Sequence, residues 1–240
     1  MYFPVQAGRA SHAPLPYTGD DSGDNISKKN DTFCELTCLY WAWKNLDADA
    51  IGLCHYRRYF AGSRLGSKQH RILTLQKAEK ILSEVPAILP EKRHYFIETS
   101  YSQFAHAHHE TDLIALRSLL QEQYPSYVFS FDKVMKKTSG HRFNMFIMQR
   151  PLFDAYCTWL FDILLKLEAT LDLTGYSTYD RRVYGFLGER LLDVWIDSNQ
   201  IPYRECPVIH MESQHWIHKG FSFLRRKFFS TSKKKSGLSS

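Results

Sequence analysis

From residue 32 onward the chain alternates between stretches with a helical period and short continuous apolar runs. "TFCELTCLYWAWKNL" (32–46) places Phe33, Leu36, Tyr40, Trp43 and Leu46 on one stripe at the 3.6-residue spacing of an amphipathic helix, and Thr32 followed by Glu35 reads as the capping box that starts it. After the turn "DADA", the run "AIGLCH" (50–55) is apolar without alternation, which predicts a fully buried strand paired in parallel. "LQKAEKILSE" (75–84) and "VPAILP" (85–90) repeat the helix-then-strand order, whereas 91–109 follows no period. Leu113, Leu116, Leu119 and Leu120 predict a helix over 111–123, and "HRFNMFIM" (141–148) predicts a strand. Pro151 opens a helix to 169 with Phe153, Tyr156, Leu160, Ile163, Leu164 and Leu167 on one face. A last long helix is expected over 178–197, and a short extended segment over 205–211. The alternation is that of an α/β protein, in which ligands bind beyond the carboxyl ends of the strands.

The two ends of the chain read differently. Residues 1–31 are punctuated by Pro4, Pro14, Pro16, Gly19 and Gly23 and carry an acidic turn, "GDDSGDN" (19–25). Such a turn is either simply solvated or holds a cation or ligand hydroxyls; the calcium-loop pattern is not met, because no glutamate follows at the required distance. From about 218 the chain is basic and aromatic, with six Lys/Arg and no acid in "LRRKFFSTSKKK" (224–235). That segment accounts for most of the net charge of +6, so the basic balance is no argument for nucleic acid. Its Phe221, Phe223, Phe228 and Phe229 among cations suit an anionic membrane surface as well as they suit a solvated tail. One domain over 1–217 and a partly disordered tail over 218–240 are therefore expected. No apolar run approaches the roughly 18 residues of a membrane span, and the first residues lack a signal-peptide pattern. The five cysteines lie mostly in apolar stretches and read as reduced thiols. Together these features point to the cytoplasm.

Three groups could carry chemistry. His55, Arg57 and Arg58 stand just past the strand at 50–55, where paired guanidinium groups could clamp a diphosphate or pair with the 19–25 acids. "HAHHE" supplies His106, His108, His109 and Glu110, but without the two-turn spacing of a zinc protease, so a polar groove wall is favoured over zinc. Asp180, Arg182, Glu189 and Asp193 share the last helix, as a carboxylate base with its partners or as an ordinary salt-bridged face. No P-loop, dinucleotide fingerprint, nucleophile elbow or kinase motif set is present, which excludes the common ATP-driven and α/β-hydrolase chemistries.

"YFPVQAG", "DDSGDNISKKNDTFCELTCLYWAWKNLDADAIGLCHYRRYF", "HRFNMFIM" with "FDAYCTWLFDIL", and "YDRRVYGFLGERLLDVWI" occur in order over about residues 2–197. In these stretches the sequence resembles the domain of unknown function 4422 family, whose members are regarded as bacterial capsular and exopolysaccharide glycosyltransferases. The resemblance implies a GT-A-like fold, a mixed, mainly parallel sheet flanked by helices. It also implies a chain that opens just after the family's usual first strand. In such enzymes an Asp-x-Asp motif at a strand end holds Mg²⁺ or Mn²⁺ on the donor diphosphate. Here that place reads His-Tyr-Arg-Arg, so the resemblance implies that Arg57 and Arg58, with His55, neutralise the diphosphate and that no metal is required, a displaced Mg²⁺ or Mn²⁺ site at the acidic turn being the alternative. Asp21, Asp24 and Asn25 would then bind hydroxyls of the donor, Glu189 or Asp180 would be the catalytic base, and Tyr101, His106 and His109 would line the acceptor groove. The implied partners are a nucleotide-diphosphate sugar, carrying a hexose such as galactose or galactofuranose, and a lipid-linked glycan of capsule, exopolysaccharide or O-antigen synthesis. The tail would hold the enzyme at the inner face of the cell membrane. A non-catalytic subunit that binds glycan or nucleotide is the alternative.

Overall fold

The computed structural model describes residues 1–212, and the tail expected at 218–240 lies outside them. Met1–Ile209 form one compact unit. The proline-punctuated start forms only a short parallel pair, β1 (Val5–Gln6) with β2 (Thr18–Gly19). Its organising side chain is the buried Asp20. One carboxylate oxygen accepts the Gly8 amide at 2.8 Å, and the other accepts the Arg9 amide at 3.1 Å and the Ser27 hydroxyl at 2.5 Å. Gly8 is needed here twice over: its φ is +65°, and a Cβ would stand 2.6 Å from the Asn30 side chain.

The helix expected at 32–46 is broken. α1 (Asn30–Phe33) stops at Cys34, which has a φ of 53°, and α2 (Leu36–Asn45) restarts beyond Glu35. The capping box does not form, because Thr32 donates to the Lys29 carbonyl while Glu35 accepts from the Asn144 amide group at 2.7 Å. The break turns Glu35 away from its own helix and toward the sheet.

The chain then continues through β3 (Ala50–Leu53), β4 (Arg58–Phe60), α3 (Lys68–Arg71), α4 (Leu75–Leu82), β5 (Ala87–Pro90) and β6 (Arg93–His94). α5 (Ser100–Ala107), α6 (Glu110–Gln123), α7 (Val128–Lys136) and β7 (Ser139–Gly140) follow. Last come β8 (Phe146–Gln149), α8 (Arg150–Glu168), α9 (Val183–Ser198) and β9 (Tyr203–Cys206). β3, β8, β5 and β9 form the central sheet in that order. β3, β5 and β9 run one way and β8 runs against them, so the sheet is mixed.

β5 is buried along its whole length, as its continuous apolar run demands. β3 is different and corrects the expectation of a fully buried parallel strand. Among the described residues it is an edge strand, it pairs antiparallel with β8 from Ala50 opposite Gln149 to Leu53 opposite Phe146, and only Ile51 is buried. Gly52 lets β8 come close, since a Cβ there would lie 2.3 Å from the Phe146 carbonyl oxygen.

Side chains alternate across the sheet with the period of two that a strand imposes. Ala87, Leu89, Phe146 and Met148 join the main core with Phe153, Tyr156 and Leu160 of α8 and Leu187, Leu191 and Trp195 of α9. Ile88 faces the other way, into a smaller core with Phe60, Leu73, Leu82 and Met145. The sheet is thus covered by helices on both faces. Two boundaries move relative to the sequence reading. The strand expected at 141–148 begins only at Phe146, because Phe143 and Asn144 have φ of 76° and 52°. The final helix begins at Val183, so Asp180 and Arg182 lie in a preceding 3₁₀ turn and not on the helix that carries Glu189 and Asp193.

Candidate functional site

The Arg58 amide donates to the His55 carbonyl at 3.0 Å and closes a tight turn just past β3. His55 and Arg58 face each other across it as an antiparallel bridge, which puts their side chains on one side. Tyr56, 77% exposed, and Arg57 form the tip, with the Arg57 guanidinium 5.5 Å from the Tyr56 ring. Because β8 runs against β3, the segment leading into β8 arrives at this same carboxyl end.

That segment gathers the site. The Arg58 guanidinium lies 4.2 Å from the Phe143 ring centroid, and the Phe143 carbonyl accepts from His55 Nε2 at 2.7 Å, which fixes the proton on that nitrogen. The Phe143 amide donates to Glu189 at 3.0 Å, and Asn144 donates to Glu35 at 2.7 Å and to the Gly185 carbonyl at 3.0 Å. His55 Nε2 is 4.0 Å from Glu35. Two adjacent non-glycine residues with positive φ cost on the order of 1–3 kcal/mol each, a strain that persists only where surroundings over-determine the backbone. Here the surroundings do so.

Behind Phe143, the buried Arg142 donates to the Tyr95 hydroxyl at 2.5 Å, the Ser100 hydroxyl at 2.8 Å, the His141 carbonyl at 2.6 Å and Asp193 at 3.2 Å. Asp193 also accepts the His141 amide at 3.0 Å and meets His141 Nδ1 at 2.5 Å, while His141 Nε2 is 3.2 Å from Glu205. Both ring nitrogens therefore face carboxylates. Glu205 is held below the usual carboxylate range by Lys92 and His141 in spite of the burial that opposes it. Beside Glu189, the buried Arg190 donates to it at 2.9 Å and also bonds Gln103.

Electrostatics tie the cluster together. Burial first, and then the neighbouring Arg57, lower the Arg58 pKa, while the carboxylates of Glu189 and Glu35 oppose the shift. Arg58 Nε and Asn144 Oδ1 are buried without a hydrogen-bond partner among the described residues. Donor and acceptor atoms left this way at a strand end favour a polar ligand. Near Glu189, His108 is pressed between Phe104 and Phe186, with ring centroids at 4.8 and 3.9 Å. Burial and then Arg190 push its pKa down to about 4, against smaller opposing effects of Asp180 and Glu189.

The structure brings His55, Arg57, Arg58 and Glu189 to one place. It does not bring the acidic turn there. Asp24 accepts from Tyr40 at 3.2 Å and its carbonyl from Asn45 at 2.8 Å, Asn25 bonds within its own loop, and Asp21 is 3.9 Å from Arg9. Tyr40 and Asn45 follow Glu35 by five and ten residues, and a helix rises 1.5 Å per residue, so the Asp24 carboxylate and carbonyl meet α2 about 7.5 and 15 Å along it from Glu35. Tyr101 donates to Glu110 at 2.6 Å and the exposed His106 pairs with Glu98 at 2.8 Å. His109 alone of the three meets an expected catalytic acid, Asp180, at 3.7 Å. Glu35, Arg142, Phe143, Asn144 and Arg190 escaped the sequence reading. The polar "HRFN" directly before an apolar strand was their one visible signal.

Among the described residues no three His, Cys, Asp or Glu side chains gather as a metal site would require. Asp20 is committed to two amides and a hydroxyl, and Arg58 feels both Glu35 and Glu189. A carboxylate so committed and a strand end occupied by guanidinium groups do not fit a divalent ion. No helix among the described residues is long and apolar enough to cross a membrane.

A mixed sheet covered on both faces by helices, with a strained polar segment and basic residues at the carboxyl end of its edge strand, defines an α/β domain. The chain belongs to the family described as Domain of unknown function (DUF4422), whose model matches residues 1–200. It is similar in structure to WbbM, described as a bifunctional glycosyltransferase and solved in its apo form, with a TM-score of 0.81 and 28% sequence identity. The similarity covers 88% of this chain and 42% of that one, so the chain spans less than half of its neighbour. Among curated proteins there is no match.

Proposed function

We propose that this chain is a glycosyltransferase that moves a hexose from a nucleotide-diphosphate sugar to a hydroxyl of a glycan acceptor. One observation carries the reading: Arg58 packs on the Phe143 ring and Glu189 accepts the Phe143 amide at the carboxyl end of the sheet, which sets a cation suited to a leaving diphosphate near a carboxylate suited to take a proton. Similarity to a bifunctional glycosyltransferase at 28% identity supports the same reaction class.

The acceptor oxygen bonds to the anomeric carbon as the bond from that carbon to the diphosphate breaks, the electron pair leaving with the nucleoside diphosphate. Glu189 takes the acceptor proton. Its oxygens already accept from Phe143 and Arg190, which orients the carboxylate and leaves each a further lone pair. Arg58, with Arg57 beside it, stabilises the charge that develops on the diphosphate. His55 fixes Phe143 through its carbonyl and so places both groups. Asp180 lies by His109 at the outer side and serves acceptor binding. No divalent cation takes part in this scheme. A galactose or galactofuranose donor, a lipid-linked acceptor in surface-polysaccharide synthesis, and attachment to the inner membrane face are the finer parts of the proposal, the last of them supported by the basic and aromatic sequence of the tail.

Release of nucleoside diphosphate from UDP-, GDP- and dTDP-hexoses, with EDTA present, tests the scheme. Turnover that Glu189→Gln lowers by about 10²-fold or more is expected for loss of a general base. Binding of nucleotide with no turnover on any donor would point to the non-catalytic subunit instead.

A further inference from the structure

Near Glu189, three aromatic rings stack into a shelf whose outer member is Tyr179. His108 stacks on Phe186 with centroids 3.9 Å apart and planes at 25°, and Tyr179 lies 5.6 Å from His108 at 21° and 5.2 Å from Phe186. Phe186 sits one helical turn before Glu189 on α9, so the two share a face. Tyr179 is 54% exposed, although its neighbours on this shelf are largely covered. The rim is polar. His109 stacks on Tyr176 at 4.1 Å and reaches to 3.7 Å from Asp180, and the Arg182 guanidinium is 5.4 Å from the Phe186 ring.

We propose that Tyr179, the exposed ring of this stack, receives the pyranose ring of the acceptor, backed by His108 and Phe186, with Asp180 and His109 bonding its hydroxyls. A pyranose has an apolar face of C–H groups and a rim of hydroxyls, and the exposed Tyr179 ring, edged by a carboxylate and an imidazole, offers the complement. A lipid chain would leave Asp180 and His109 unmatched. A nucleobase could stack on the rings, but its diphosphate belongs on the Arg57 and Arg58 side of Glu189. Glu189 adjoins both halves, for it accepts the Phe143 amide beside Arg58 and stands one turn from Phe186 on α9. The assignment rests on the glycosyltransferase reading and replaces Tyr101 and His106 as acceptor contacts.

Saturation-transfer NMR with methyl β-D-galactopyranoside and methyl β-D-glucopyranoside on the full chain tests it. Transfer to the C–H protons of one ring face is expected for at least one glycoside, falling about threefold to tenfold in Tyr179→Ala, as loss of an aromatic contact implies, and restored in Tyr179→Phe. No signal with wild type, an equal signal in Tyr179→Ala, or displacement of the glycoside by uridine at matched concentration overturns the subsite. Titration of wild type with UDP, GDP and dTDP runs in parallel. Glycoside binding without any nucleotide binding would sink the transferase reading and leave the shelf standing as a sugar site, whereas nucleotide binding without the Tyr179 effect would sink the shelf alone.

Discussion

Asp193 holds the segment that builds the site, and replacing it with asparagine should loosen that segment measurably. Its carboxylate takes the His141 amide at 3.0 Å, His141 Nδ1 at 2.5 Å and Arg142 at 3.2 Å, with the Asp193 side chain only 10% exposed and the two partners 1% and 3%. Removing one member of such a buried pair strands the other charge and costs about 3–5 kcal/mol. Glu205 remains on the far side of His141, which places the expected loss near the lower bound, about 3 kcal/mol. For a chain of this size each kcal/mol shifts Tm by roughly 2–4 °C, so Asp193→Asn should melt about 6–12 °C lower. Urea unfolding of wild type, Asp193→Asn, Arg142→Met and the double variant then isolates the pair. A coupling of about 1 kcal/mol or more is expected for groups in direct contact. A single-variant loss below about 1 kcal/mol, or a cycle that closes within about 0.3 kcal/mol, would refute the view that this ion pair positions Phe143 and Asn144.

Gly140→Ala should destabilise by about 1–3 kcal/mol in the same assay, since its Cβ would lie 2.4 Å from the Arg142 guanidinium and 2.6 Å from Asp193. Asn144→Ala removes the bonds to Glu35 and Gly185 and forces alanine to a φ of 52°, so a loss of about 2–4 kcal/mol in urea unfolding is expected. His108 holds its proton less tightly folded, at about pH 4, than its ordinary value of 6.5, so acid protonates the unfolded chain first. Its effect on stability is absent above about pH 6.5 and grows as pH falls toward 4. Melting curves across that range should therefore fall less steeply for His108→Phe than for wild type, and equal slopes would contradict the burial of this imidazole.

The helices on both faces of the sheet and the strand at 87–90 were legible because one period or one continuous run accounts for each of them. Leu113 to Leu120 and Phe153 to Leu167 are buried as their spacing required. β3 misled because an edge strand beside a glycine and a fully buried strand share the same short apolar pattern. The place of His55 and Arg58 was readable, for they follow a strand end. Their partners were not, since Glu35 has the local signature of a helix cap and the backbone at Phe143 and Asn144 depends on contacts from distant parts of the chain. That Asp20 closes a loop on itself and that Asp24 bonds to Tyr40 and Asn45 of α2 was not legible in the acidic turn, because both depend on contacts away from it in sequence.

Calorimetric titration of UDP, GDP and dTDP into wild type and Arg58→Met, both with EDTA, bears on the site most directly. Arg58 lies at the sheet end with a buried Nε that bonds nothing among the described residues, so its loss should leave the fold intact. At least one nucleotide should bind wild type, and Arg58→Met should weaken it about 10–100-fold, the worth of charge-assisted hydrogen bonds of about 1.5–3 kcal/mol. Unchanged affinity in Arg58→Met, or no binding of any of the three by wild type, would contradict a diphosphate held by this arginine.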